Sequence, residues 1–155
     1  MGLILESSRN KSIEEAFRRT GVRITPQRFS VLEHLMLHPD HATVDDLAAA
    51  LNRRYAKASR ATVYNTLHAL VEAGLVREFT LDGKAARYDA NVDPHHHFVC
   101  DVCGAVEDLE WFEIPALQQQ PGPKMPRTQK GEHSVKAYNI RSYEVIVRGV
   151  CRRCR

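Results

Sequence analysis

Apolar residues in the first half of the chain recur every three to four positions, which is the spacing of an amphipathic helix. Two such segments read TPQRFSVLEHLM and TVDDLAAAL. The first opens on Thr25 followed by proline, a typical helix start, and its pattern ends at HPDH. The second opens on Thr43, with Asp46 three residues later as a variant of the capping box. The pattern predicts a helix in each segment.

A third helix is predicted in SRATVYNTLHALVEAGLV. Ser59 suits the N-cap and Gly74 suits the position after the helix, while one face carries an apolar stripe. The opposite face carries side chains that can contact phosphates or base edges, namely Arg60, Tyr64, Asn65 and His68. Strand patterns follow in LVREFTL and AARYDA, separated by DGK. Three helices and then a hairpin is the element order of a winged helix-turn-helix.

The character of the sequence changes at NVDP, where Pro94 indicates a hinge or boundary. Beyond it, HHHFVC, AVEDLEWF and AYNIRSYEVIVRGVC show strand patterns. IPALQQQ allows one short helix, and PGPKMPRTQKGEH is typical of a flexible loop. We therefore expect an α+β fold, with a winged helix-turn-helix DNA-binding domain over residues 1–90, a hinge at 91–94 and a small α/β domain over 95–155.

The 155 residues are 43% hydrophobic, which is typical of globular proteins. A signal peptide is not recognisable, and no apolar run approaches the roughly 20 residues that span a bilayer, so we expect a cytoplasmic protein without a membrane partner. The net charge of +3 is too small to indicate nucleic acid by itself. Between Leu47 and Val71, however, carboxylates are absent and the basic residues are Arg53, Arg54, Lys57 and Arg60. Such a patch neutralises phosphates, although a solvated helix face has the same composition.

The four cysteines form two CxxC pairs, Cys100 with Cys103 and Cys151 with Cys154, each at the end of a strand pattern. In a reducing compartment such pairs more often bind zinc than form disulfides. Four thiolates would enclose one tetrahedral ion and join the start of the C-terminal domain to its end. A thioredoxin-like dithiol and a redox switch that releases zinc are the competing interpretations.

Three adjacent histidines precede the first cysteine pair. In a strand, His95 and His97 point to one face and His96 to the other, so two imidazoles could form half of a metal site. The nearby carboxylates are Asp89, Asp93 and Asp108. Mixed nitrogen and oxygen ligands suit Fe(II), Mn(II), Co(II) or Zn(II). As an isolated feature, a histidine triplet can equally decorate a surface.

Together, GVRITPQR, ATVYNTLHALVEAGLV, HHHFVCDVCG and GVCRRC resemble the ferric uptake regulator (Fur) superfamily of metal-dependent transcriptional regulators, over about residues 12 to 155. The resemblance implies a winged helix, a hinge and a C-terminal dimerisation domain, in a homodimer that binds palindromic operators in double-stranded DNA. It implies structural Zn(II) at the four cysteines. The regulatory Fe(II) or Mn(II) ligands that it implies are His41, Asp89, His95, His97 and Asp108.

This ligand set resembles the peroxide-sensing (PerR-type) branch more than the iron-uptake branch, in which glutamate is common at the position of Asp108. In the sensing branch, bound Fe(II) reacts with hydrogen peroxide, a histidine becomes 2-oxo-histidine and DNA is released. Mn(II) also activates DNA binding but reacts much less. By this analogy, His41 and His95 are the oxidation-sensitive residues. Tyr143 departs from the family pattern, because many members have a histidine of a further metal site there.

The resemblance places the helix Ser59 to Ala73 in the major groove, with the four polar residues named above as contacts, and adds phosphate contacts from Arg23 and Arg28. The leading hypothesis is a peroxide-responsive, Fe/Mn-dependent repressor of oxidative-stress genes, which is a regulator and not an enzyme. The alternative within this class is a repressor of metal-uptake genes that senses the concentration of iron, zinc or nickel.

Two hypotheses from other classes explain less of the sequence. A non-haem iron enzyme would leave the DNA-reading helix unexplained. A zinc-ribbon interaction protein would leave His41, Asp89 and Asp108 without a role. Accessory metal ligation by His96 or His133 is the less favoured interpretation of those two residues.

Overall fold

The computed structural model describes residues 2–54, 58–81, 83, 85–114 and 141–155. The chain consists of two compact units, an N-terminal unit, Met1–Asp93, and a C-terminal unit, Pro94–Arg155. The helix predicted in IPALQQQ, the proline-rich loop and His133 lie outside the described residues, as does Lys57 of the basic patch.

In the described residues, the N-terminal unit consists of helices followed by a hairpin. Its elements are α1 (Gly2–Thr20), α2 (Pro26–Leu37), α3 (Val44–Arg54), α4 (Arg60–Glu72), β1 (Arg77–Thr80) and β2 (Ala86–Asp89). Strands β1 and β2 pair antiparallel. From α2 onward this is the order predicted for a winged helix-turn-helix, and α1 is an additional helix that was not predicted from the sequence.

Local side-chain hydrogen bonds set the helix starts. Thr25 and Ser59 each accept a hydrogen bond from the backbone N–H three residues later, at 3.2 and 3.1 Å. Thr43 and Asp46 bond reciprocally, since the Thr43 N–H donates to Asp46 Oδ2 at 3.0 Å and the Asp46 N–H donates to Thr43 Oγ1 at 3.3 Å. After α4, Gly74 has a φ of 68°, a conformation that favours glycine. These predicted caps are confirmed.

The core of the N-terminal unit joins its four helices to β2. Its most buried side chains are Ile13, Phe17, Val31, Leu32, Leu47, Val63, Leu67, Leu70, Val76 and Tyr88. The apolar stripe of α4 supplies three of these residues. Because that stripe faces the core, the polar side of α4 faces outward.

The C-terminal unit contains a three-stranded sheet formed by β3 (His96–Cys100), β4 (Val106–Leu109) and β5 (Ile146–Gly149). The strand order is β4-β3-β5, with β4 antiparallel and β5 parallel to the central strand. The parallel register pairs Cys100 with Gly149. Both strands therefore end at the same edge, and the turns that follow them lie side by side.

The last strand is shorter than its sequence pattern predicts, since β5 begins only at Ile146. Just before it, the Val145 N–H donates to the ring nitrogen Nδ1 of His96 at 3.2 Å. The Val145 carbonyl still accepts from the His97 N–H at 3.0 Å. An imidazole nitrogen thus serves as acceptor where the regular strand begins.

None of the helices in the described part of the chain combines the length and the apolar character that crossing a membrane requires.

We expect Leu67→Ala to lower the free energy of unfolding by about 2–5 kcal/mol, because removing a fully buried leucine side chain leaves a cavity. Leu37→Ala makes the same chemical change at a helical position that is 45% exposed, and it should cost about 0.5 kcal/mol or less. Denaturant unfolding followed by circular dichroism measures both values. Equal losses in the two variants would contradict the assignment of the core.

Candidate metal centres and DNA-binding surface

Two CxxC turns lie together where β3 and β5 end. The Sγ atoms of Cys100, Cys103, Cys151 and Cys154 lie within 4.8 Å of one another, and none of these cysteines forms a disulfide. The Cys103 and Cys151 sulfurs are 3.8 Å apart. Four thiolates bonded to zinc at about 2.3 Å in a tetrahedron have sulfurs about 3.8 Å apart. The four cysteines therefore fit a tetrahedral zinc ion.

Backbone hydrogen bonds shape these turns and favour the thiolate form of Cys100. Gly104, with a φ of 70°, donates its N–H to the Cys100 carbonyl at 2.9 Å and closes the first turn. The Cys151 N–H points at Cys100 Sγ at 3.4 Å. The N–H groups of Cys103 and Cys151 lower the pKa of the Cys100 thiol to about 6. Since zinc binds thiolate, the turn supplies a ligand that is ready for the metal.

In the N-terminal unit, the loop between α2 and α3 brings His41 to Asp89 because it is bonded to β2. The Tyr88 N–H donates to the Ala42 carbonyl at 3.1 Å, and the Arg87 guanidinium donates to the His41 carbonyl at 2.9 Å. His41 Nε2 then lies 4.0 Å from Asp89 Oδ2. Both side chains are buried, with His41 only 2% exposed.

Neighbouring residues fix the orientation of both Asp89 and His41. Asp89 Oδ1 accepts from the Asn91 N–H at 2.7 Å, so that Oδ2 is the oxygen facing His41. The His41 ring meets Phe79 edge-on at 5.4 Å, and its backbone has a φ of 54°, which is uncommon outside glycine. The residue pattern alone contains no sign of this burial, because a loop histidine is usually solvated.

In the C-terminal unit, His95, His97 and Asp108 form a second group of donors. His95 Nε2 is 3.0 Å from His97 Nε2. Strand pairing sets His97 opposite Asp108, whose Oδ1 lies 3.7 Å from His95 Nε2 and 4.0 Å from His97 Nε2. Two nitrogens bonded at right angles to one ion at about 2.1 Å are about 3 Å apart. The two imidazoles thus fit adjacent ligands of one ion.

His96 faces a different environment. Its Nε2 lies 2.9 Å from the Phe112 carbonyl, while its Nδ1 accepts from the Val145 N–H. The ring stacks on Trp111 at 4.6 Å and on Tyr143 at 5.8 Å. Because the backbone occupies the lone pair that a metal would need, this geometry fits a structural role for His96.

The predicted DNA-contacting side of α4 is exposed. Tyr64 is 53% exposed, and Asn65 beside it also faces solvent. Arg60 pairs with Asp45 of α3, with Nε and Oδ1 2.8 Å apart. His68 Nδ1 lies 3.3 Å from a carboxylate oxygen one turn further along α4. The segment around Arg60 lacks carboxylates in sequence, but tertiary packing supplies one. Exposed ion pairs contribute little stability, so a phosphate could replace this partner.

Arg23 and Arg28 lie on the same surface as Asn65. These three residues line an open cleft of about 440 Å³ between the segment around the start of α2 and the outer side of α4. The Arg28 guanidinium donates to the Arg23 carbonyl at 2.9 Å, which fixes one of the two cations. We call the exposed side of α4 together with this cleft the α4 surface.

Residues 19–145 match the model of the Ferric uptake regulator family. The peroxide operon regulator of Bacillus subtilis is 35% identical over 144 residues, covering 93% of this chain and 92% of that protein. The peroxide-responsive repressor PerR of Staphylococcus epidermidis is 29% identical over 140 residues, covering 90% of this chain and 86% of that protein. Among solved structures, the Campylobacter jejuni peroxide stress regulator is 27% identical with a TM-score of 0.60, covering 93% of this chain and 97% of that one.

We expect the four cysteines to bind zinc, and we expect Cys103→Ser to lose this ion and to destabilise the C-terminal unit, because binding of a structural ion contributes to folding. Val102→Ser introduces the same side chain at the adjacent position of the exposed turn and should leave the zinc content unchanged. Elemental analysis after gel filtration, together with thermal unfolding, compares the two variants. Full retention of zinc in Cys103→Ser would remove this cysteine from the ligand set.

Proposed function

The chain belongs to the ferric uptake regulator family, and we propose that it is a metal-dependent transcriptional repressor that responds to hydrogen peroxide. Two named relatives, a peroxide operon regulator and a peroxide-responsive repressor, support this function. The observation that carries it is the approach of the His95 and His97 Nε2 atoms to 3.0 Å, with the Asp108 carboxylate beside them. The protein acts as a regulator, and its chemistry consumes the sensor instead of turning over a substrate.

Donor chemistry supports two different ions. The four-cysteine set suits structural Zn(II), which takes four thiolates in a closed tetrahedron. The histidine and aspartate donors suit Fe(II) or Mn(II), which prefer mixed nitrogen and oxygen ligation with five or six positions. His41 with Asp89 supplies two donors, and His95 with His97 and Asp108 supplies three. Because the two groups together supply five donors, which fit the five or six positions of Fe(II) or Mn(II), we infer that both serve one regulatory ion, as the family resemblance implies.

An ion that needs ligands from both units favours the arrangement in which those ligands can meet. Its binding free energy can shift the population of the dimer only by the difference in affinity between the two states. A ligand lost from either unit lowers that difference. Loss of one imidazole donor therefore returns the dimer to a population with low DNA affinity.

Bound Fe(II) supplies the reactivity toward hydrogen peroxide, whereas Mn(II) supports DNA binding with much lower reactivity. His41 and His95 are the proposed sites of oxidation. An oxygen atom added to an imidazole carbon alters the ring and weakens its ring nitrogen as a metal ligand. Burial of both side chains excludes bulk water from the rings and limits the reaction to a small oxidant.

On the DNA side, we propose that α4 enters the major groove of a palindromic operator, one helix from each chain of a homodimer. The exposed positions of Arg60, Tyr64, Asn65 and His68 support this role, and so does the position of Arg23 and Arg28 around the cleft. Side chains on the helix reach base edges, while the two arginines beside it contact phosphates.

Peptide mass spectrometry tests the sensing chemistry. Zinc-replete protein is loaded anaerobically with Fe(II), or with Mn(II) as the control, and is exposed briefly to hydrogen peroxide. We expect one added oxygen on the His41 or His95 peptide in the iron sample alone. The exposed His68 provides an internal control and should stay unmodified. Unmodified site peptides at confirmed iron occupancy would instead favour a repressor that senses metal concentration.

A second test addresses the α4 surface, with a DNA fragment selected from a random-sequence library by the Mn(II)-loaded protein. Arg60→Ala should weaken binding and reduce the salt dependence of the affinity by about one phosphate. Arg152→Ala removes the same charge from an exposed position in the C-terminal unit and should change neither quantity. Fluorescence anisotropy at several salt concentrations measures the slope. An unchanged slope in Arg60→Ala would remove the assigned phosphate contact.

A further inference from the structure

The His97 ring has a different partner at each of its nitrogens. Nδ1 lies 2.5 Å from Oε1 of Glu144, whereas Nε2 lies 3.0 Å from His95 Nε2 and 4.0 Å from Asp108 Oδ1. The His97 side chain is fully buried, and that of Glu144 is 28% exposed. Protein groups instead of bulk water therefore decide how this ring is oriented.

The contact depends on the parallel pairing of β3 with β5. His97 pairs with Ile146, and its N–H donates to the Val145 carbonyl at 3.0 Å. Glu144 lies two residues before β5, so this pairing brings its carboxylate beside a histidine 47 positions earlier in the chain. A position so distant in sequence is not recognisable as part of the histidine site from the residue pattern.

The carboxylate determines where the imidazole proton resides. An ionised glutamate has only acceptors, so the short contact requires a proton on His97 Nδ1. A neutral ring protonated at Nδ1 carries its lone pair on Nε2. That nitrogen faces His95 and Asp108. The ring thus already presents the nitrogen that would bind a metal.

We propose that Glu144 is a positioning residue for the regulatory metal, acting through His97. It selects the Nδ1–H tautomer, fixes the ring in its plane and increases electron donation from Nε2, although it does not itself touch the ion. The proposal rests on the function proposed above, because it takes His97 as a ligand. Loss of such a carboxylate partner typically weakens metal binding by about 10- to 100-fold.

Mn(II) titration of the zinc-replete full chain compares three variants with the original protein. Glu144→Ala removes the partner and should weaken Mn(II) binding by about 10- to 100-fold. Glu144→Gln keeps a possible acceptor without the charge, and its Mn(II) affinity should lie between those of the original protein and Glu144→Ala. Glu107→Gln makes the same change of charge at an exposed position next to Asp108 and should leave the affinity unchanged.

Long-range ¹⁵N–¹H NMR correlations of the His97 ring, recorded on zinc-replete protein before Mn(II) is added, report the tautomer directly. If Glu144 had only a structural role, its substitution would leave the His97 tautomer unchanged. We expect Nδ1–H in the original protein and in Glu107→Gln, and a shift toward Nε2–H in Glu144→Ala. Zinc content measured on the same samples shows whether the cysteine turns beside β5 stay intact.

Unchanged Mn(II) affinity together with the Nδ1–H tautomer in both Glu144 variants would overturn the proposal. If Glu144→Ala loses zinc, the isosteric Glu144→Gln decides the result by the same two measurements. If the original protein binds no second ion, the proposed function fails and the role of Glu144 in metal binding fails with it. If the original protein binds Mn(II) but Glu144→Ala retains the Nδ1–H tautomer, only the role of Glu144 is overturned and the proposed function stands.

Discussion

The parallel pairing of β3 with β5 is the constraint on which the C-terminal unit depends. It aligns the ends of two strands that lie about 50 residues apart in sequence, so that two CxxC turns face each other. At the other end of the paired strands, the same pairing brings Glu144 to His97. Parallel neighbours require a long connection, and a metal that closes such a connection offsets part of the chain entropy lost on folding.

In the N-terminal unit, the constraint that positions the functional side chains is the burial of one face of α4. The apolar stripe of α4 packs into the core, and the polar side of the helix is therefore held outward in a fixed register. The loop before α3 is bonded to β2, which carries His41 to Asp89. Packing thus fixes both the α4 surface and the His41–Asp89 pair in one small structure.

The two kinds of donor set differ in what they require from the fold. Four cysteines on two adjacent turns can enclose zinc within one unit, because thiolate binding needs only four sulfurs at tetrahedral spacing. The histidine and aspartate donors are divided, with two in one unit and three in the other. Under the proposed function, this division would make binding of the regulatory ion depend on conformation.

The sequence by itself determined features that depend on local chemistry. Thr25, Thr43 and Ser59 start helices because each bonds to a backbone N–H only three residues away. The alternation of side chains along a strand, which points His96 away from the face of His95 and His97, is likewise a local property of the backbone. Only the tertiary structure decided the burial of His41, the pairing of Asp45 with Arg60 and the contact of Glu144 with His97. These contacts depend on how separate elements pack against one another, and no short stretch of sequence encodes that packing.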